Sequence, residues 1–134
     1  IDEIRKYRGY LIELLSMDEE KAWPLVLEFL EKGLLSSEDV NEIRKYRGFL
    51  LDVLSDVADY NAVYFYRIRE YMMEKVPVML DTGLLTADEF RKFGLKSLLY
   101  LSESNLHRVR ALMISVLDYL AKNYRSIFSQ EIET

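Results

Sequence analysis

Apolar residues recur along nearly the whole chain at spacings of three and four, the period of one helix face. The first stripe runs Ile1, Ile4, Tyr7, Leu11, Leu14 and Leu15. A second places Val40, Ile43, Tyr46, Leu50, Val53 and Leu54 at the same intervals. Both close on Leu-Ser, at Ser16 and Ser55, and a third Leu-Ser stands at Leu101-Ser102. Each is followed within two positions by an acid: Asp18, Asp56 or Glu103. A serine hydroxyl caps free amides at a helix start, and early carboxylates suit the helix dipole. Each Leu-Ser is therefore expected to be a hinge between two antiparallel helices. The pattern predicts an all-α fold of six helices in three pairs, roughly 1–16 with 18–32, 37–55 with 57–81, and 87–101 with 104–127. Pro24 and Pro77 fall inside second helices, which they are expected to kink or break. The tail 129–134 has no apolar pattern and is expected to fray.

The two stripes are copies. Ile1–Ser16 and Val40–Ser55 agree at ten of sixteen positions, and the other six are close substitutions. A second element is also duplicated: Gly33-Leu34-Leu35-Ser36-Ser37-Glu38-Asp39 matches Gly83-Leu84-Leu85-Thr86-Ala87-Asp88-Glu89. Glycine ends a helix in the left-handed conformation. Ser36 and Thr86 then cap the next helix, with Asp39 and Glu89 three residues on, as in a capping box. The paired leucines are expected to plug the interface between units. The chain thus divides into a single helical-repeat domain with units of roughly 1–33, 34–83 and 84–128, each covering its neighbour's apolar face.

The third unit has diverged. Glu89-Phe90-Arg91-Lys92-Phe93 echoes Glu3–Tyr7 and Glu42–Tyr46. Gly94 then arrives one position earlier than Gly9 and Gly48, and no arginine stands where Arg8 and Arg47 do. In this unit Leu101-Ser102-Glu103, followed by Val109-Arg110 and Leu112, resembles the acid-then-Val-Arg spacing of a HEAT repeat's second helix. Helix pairs of this length with a polar hinge and a proline in some helices are similar to HEAT-type repeats across most of the chain, although the specific motif occurs once. The resemblance implies a curved α-α superhelix with a binding function. A compact six-helix bundle with an internal duplication is the alternative.

Composition narrows the function. The chain has 134 residues, half of them hydrophobic and 13% aromatic, enough for a packed core. Its net charge is −5, which argues against a dedicated nucleic-acid binder but leaves room for a local basic face. There is no cysteine, hence no disulfide framework and no thiolate zinc site. No apolar run is long enough to span a bilayer and none reads as a signal peptide, so a cytoplasmic setting is expected. The chain opens at Ile1 and not at methionine, which leaves open a start upstream. One glutamine among many charges points to a thermophilic source.

The candidate chemistry is mostly cationic. Arg5, Lys6, Arg44, Lys45, Arg91 and Lys92 recur at equivalent places. Stacked helices would align them as a basic row for phosphates or an acidic partner; a solvated face paired with Glu3, Glu13, Glu42 and Asp52 explains them as well. Arg8 and Arg47 fall within the apolar arc, so each must be paired or reach water along its stem. They read as a ligand clamp or as inter-repeat salt bridges, with Asp18 or Asp56 as partners. Gly9 and Gly48 sit mid-helix at a cost of about 1 kcal/mol each against alanine, and close helix contact would account for them. The helix from Tyr60 to Met79 is apolar on most sides. It suits a core, with Tyr64 and Tyr71 as candidates for an interface or for base stacking. His107, Arg108 and Arg110 open the last helix, where cations oppose the dipole; a surface role is expected for the lone histidine. No calcium loop, di-metal pattern, Walker loop or dinucleotide glycine pattern occurs.

These observations favour a non-catalytic scaffold that binds a protein or peptide, with no cofactor. The alternative is a nucleic-acid-binding repeat protein using the Arg-Lys row and the 105–110 segment. A homodimer would cover the end faces of so short a stack.

Overall fold

A computed structural model describes the backbone of residues 2–55 and 62–128, and the side chains of residues 7–55 and 67–128. These residues are helical nearly throughout, with no strand among them. The elements are α1 (Asp2–Met17), α2 (Glu19–Glu31), α3 (Ser37–Ile43), a 3-10 turn (Arg44–Tyr46), α4 (Gly48–Ser55), α5 (Ala62–Glu74), α6 (Val76–Thr82), α7 (Ala87–Phe93), α8 (Leu95–Leu101) and α9 (His107–Asn123).

The expectation of six helices is corrected by three breaks, each with a local cause. The stretch 37–55 parts before Gly48, 57–81 parts at Lys75 just ahead of Pro77, and 87–101 parts at Gly94. Proline near a helix start loses nothing, because the first amides have no intrahelical partner. Gly94 lets the chain turn over the Phe90 ring (see below). The break at Gly48 is supported from outside: the Phe49 amide donates to Glu19 Oε1 at 3.3 Å, so the first unit caps α4. Pro24, by contrast, does not interrupt α2.

The hinges also differ from expectation. Of the three hinge serines, Ser16 and Ser102 do not cap the following helix, and the residues directly after Ser55 lie outside the described ones. Each hydroxyl donates back to the carbonyl three residues earlier, on Glu13, Asp52 and Leu99. They finish the preceding helix. Asp18 caps α2, accepting from the Lys21 amide, and α9 starts after Leu106 with no side-chain cap. Asp56 lies outside the described residues.

The duplicated Gly-Leu-Leu elements form as expected. Gly33 and Gly83 have φ of 72° and 82°, the left-handed region open to glycine. Ser36 with Asp39, and Thr86 with Glu89, form complete capping boxes. Leu84 and Leu85 are fully buried plugs, whereas Leu34 and Leu35 are half-buried.

Tyr7 packs edge-on against Phe29, with centroids 6.3 Å apart, and the two lie equally far from the hinge at Asp18, so α1 and α2 are antiparallel. Between units the order is parallel. Tyr71 reaches Pro24 and Glu28, and further along Lys75 pairs with Glu31. Glu70 pairs with Arg108, and further along Asp81 accepts from Tyr119 and Tyr124. Thus α2, α5–α6 and α9 run in one direction. The core follows them: Trp23, Val26, Leu27, Met72, Met73, Val76, Met79, Met113, Val116 and Leu120 join one cluster with Leu50, Leu54 and Phe90.

Candidate functional site

The duplicated arginines meet the duplicated capping boxes. Arg8 Nη1 donates to Asp39 Oδ2 at 2.8 Å. Arg47 grips Glu89 with both terminal nitrogens, at 2.9 and 2.8 Å, and donates to the Leu84 carbonyl at 3.0 Å. A two-pronged guanidinium-carboxylate pair is among the stronger polar contacts available to a protein. Arg44 adds bonds to the Gly83 and Leu84 carbonyls at 2.8 and 3.1 Å. Arg8 and Arg47 are therefore inter-unit salt bridges, with the boxes Asp39 and Glu89 as partners in place of Asp18. Hydrogen bonds from Arg47 outweigh burial and hold the Glu89 carboxyl down at about 2, with the Thr86 amide and Arg44 assisting. At Asp39 burial pushes up, yet the Ser36 amide and Arg8 prevail and keep the group below its ordinary value.

The rest of the row is dispersed. Lys45 pairs locally with Glu42 at 2.9 Å and is largely exposed. Arg91 stands 3.7 Å from Asp88, and Lys92 lies over the Phe93 ring at 5.3 Å. The side chains of Arg5, Lys6 and Tyr64 lie outside the described ones. Tyr71 is half-buried and committed: its hydroxyl donates to Glu28 at 2.9 Å, and burial followed by that bond raises its pKa. Lys75 lies over the Tyr71 ring while pairing with Glu31. The glycine expectation is overturned. A Cβ on Gly9 would meet nothing within 4 Å, and one on Gly48 only Glu19 Oε1 at 3.9 Å. The crowded glycine is Gly94, where a Cβ would fall 2.6 Å from the buried Phe90 ring.

One concave surface among the described residues lies at the start of α9. A groove of about 670 Å³ is lined by Arg67 and Glu70 of α5, Tyr100 and Leu101 of α8, the connector 103–106, and Arg108 and Val109 of α9. The volume falls in the range of ligand pockets. Its floor is apolar, with Leu101 and Val109 buried, and its rim presents Tyr100 and Leu106 at 65% and 63% exposure. Arg108 projects outward and donates to Glu70, whose side chain is only 14% exposed. Beside the groove, exposed His107 bonds through Nδ1 to Arg110 at 2.8 Å.

Of the residues read from the sequence, the structure brings together Arg44 with Arg47 at Glu89, and His107, Arg108 and Arg110 at the groove's edge. Sequence reasoning missed Arg67, Glu70 and Tyr100, and took in Leu106 only as part of the 105–110 segment. Leu106 carried a signal, since an apolar residue before a cationic helix start leaves that end without a side-chain cap. Arg67 and Glu70 carried none, because their relation to α9 is purely tertiary. Among the described residues, no cluster of three or more His, Asp or Glu could hold a metal ion. No described helix is long and apolar enough to cross a membrane. Comparison with protein-family models, curated proteins and solved structures yields no match.

Proposed function

We propose that this chain is a non-catalytic scaffold for a protein or peptide, built as a HEAT-like stack of three helix pairs. The observation that carries this reading is the parallel order of contacts along α2, α5–α6 and α9. A repeat stack sets equivalent helices side by side in one direction, whereas a bundle of short-looped neighbours alternates them. The two arginine clamps support it, because each joins a unit to the box that opens the next. Stacks of this kind work by presenting surface, and here exposed Tyr7, Tyr10, Tyr100 and Leu106 supply the aromatic and aliphatic character of contact residues.

The nucleic-acid reading loses Arg44 and Arg47, which are bonded to Glu89 and to box carbonyls. The test is capture of partners from source lysate with and without nuclease. A protein retained after nuclease supports the scaffold. Recovery lost with nuclease, together with loss on Lys45→Glu plus Lys92→Glu, overturns it.

A further inference from the structure

The first unit turns an apolar face away from the rest of the stack. We infer that this face binds the same face of a second copy of the chain, with the two α1 helices antiparallel across a two-fold axis. Such a dimer lies beyond the scaffold reading and does not depend on it. Arg8 of α1, and Pro24 and Glu28 of α2, meet the second unit. Tyr7, Tyr10, Leu14 and Met17 lie on the other side of α1, and Leu25 and Phe29 continue the face on α2, where Tyr7 meets Phe29. Tyr7, Tyr10, Leu25 and Met17 are exposed, Met17 at 77%. Among the described residues, every large apolar side chain left exposed belongs to the first or the third unit. A repeat stack that ends in water needs a polar outer face, and this one is apolar. The duplication shows what becomes of the same row when a unit precedes it. Its counterparts in the second copy are Tyr46, Phe49 and Val53. Tyr46 and Phe49 pack against the core, Val53 is fully buried, and the Phe49 amide bonds to Glu19 of the first unit.

The row on α1 is complementary to itself. Tyr7, Tyr10, Leu14 and Met17 follow intervals of three, four and three, the spacing of a two-helix seam. An antiparallel pair centred near Ile12 sets Tyr10 beside Leu14 of the second copy and Tyr7 beside its Met17, an aromatic-thioether contact. The same pairing brings positions 5 and 6, arginine and lysine, alongside Asp18 and the exposed Glu20 of the other copy. A parallel pair would set each charged group against its own kind. Two copies related in this way present one surface to each other, so the assembly closes at two. Head-to-tail stacking on the third unit fits less well. That unit has no arginine at the place of Arg8 and Arg47, so it cannot make the clamp that joins the units within the chain.

The experiment is sedimentation equilibrium of the purified full chain over a series of concentrations. The expected result is a monomer-dimer equilibrium with nothing larger. Tyr10→Glu with Met17→Glu should weaken the dimer about tenfold or more, with far-ultraviolet dichroism and melting temperature showing that each monomer is folded. Tyr100→Ser with Ile114→Ser, in the third unit, should leave the dimer intact. The chain has no cysteine, so a single introduced one carries a nitroxide to a chosen place. A label on Glu13→Cys should show dipolar broadening between copies, and a label on Lys122→Cys should not. A monomer at every concentration overturns the inference. So does a dimer that survives Tyr10→Glu with Met17→Glu. Growth without limit as concentration rises, with no broadening at Glu13→Cys, overturns it in favour of head-to-tail stacking.

Discussion

Replacing Glu89 by glutamine should cost about 2–3 kcal/mol at neutral pH, and that cost should vanish in acid. The carboxylate is held by both terminal nitrogens of Arg47, whose side chain is 13% exposed against 24% for Glu89. Its pKa falls from 4.5 to about 2 on folding. At about 1.4 kcal/mol per pH unit, that difference caps the contribution of the ionised form near 3 kcal/mol. Partial exposure to water trims it, since solvent competes for the same charges. Glutamine preserves the side-chain length and an oxygen to accept from the Thr86 amide at 2.9 Å, so the capping box survives in part. What is lost is the charge facing Arg47.

The direction with pH follows from linkage. A carboxyl whose pKa is depressed in the folded state stabilises that state above its unfolded pKa. The contribution declines as pH falls from 4.5 towards 2, and it is gone once the folded carboxyl is protonated. Urea unfolding of both proteins, followed by circular dichroism across this range, gives the difference directly. Other acids, Asp39 included, titrate alike in both proteins and cancel. A penalty that stays constant down to pH 2 would place the loss in packing or capping and refute the electrostatic account. A penalty under about 0.5 kcal/mol at neutral pH would class the pair with ordinary surface salt bridges.

The remaining predictions concern packing. Gly9→Ala should stabilise by about 0.5–1 kcal/mol, because the position is helical and a methyl group meets open space; thermal unfolding should rise by a few degrees. Gly94→Ala should destabilise by about 1–3 kcal/mol, since the new methyl would press on the fully buried Phe90 ring; a melting temperature at or above the parent's would show that the ring gives way freely. Tyr71→Phe should cost about 1 kcal/mol in urea unfolding, losing the bond to Glu28. Trp23 is fully buried with its indole nitrogen unpaired, so native emission should be blue-shifted; a red maximum would contradict its place in the core.

Much of this architecture was readable from periodicity and duplication, because both record local rules. The left-handed glycines and the capping boxes are set by residues a few positions apart. The helix breaks were not readable. Glu3–Gly9 and Glu42–Gly48 are the same seven residues, yet the first lies in one continuous helix and the second is divided by a 3-10 turn. The second copy is held by several bonds at once: Arg44 to Gly83 and Leu84, Arg47 to Glu89 with both terminal nitrogens where Arg8 uses one on Asp39, and Glu19 capping the new helix start. Tertiary bonds of this kind outweigh propensities worth tenths of a kcal/mol per residue. The Leu-Ser hinges misled for a related reason. A serine can serve the helix before it or the one after it, and at all three sites it bonds backwards. The groove was the least legible part, since its two sides come from α5 and α9, some forty residues apart.

The clamps also explain a divergence that looked arbitrary in the sequence. Two arginines stand at matching places, in the first and second units, and two Gly-Leu-Leu boxes open the second and third. Each arginine reaches forward to the box of the next unit, Arg8 to Asp39 and Arg47 to Glu89. The third unit has no arginine at that place. Both arginines stand where a box follows them, as expected if the residue serves to join units and not to hold a ligand. An unpaired arginine in that half-buried position would carry a desolvation cost with nothing to offset it. Arg8, Arg44 and Arg47 are all consumed by bonds to the following unit, and Arg108 is bonded back across units to Glu70. The arginines that recur in the sequence are thus accounted for as joints between units, and a recurring cation is read as a ligand contact only where no such partner stands within reach.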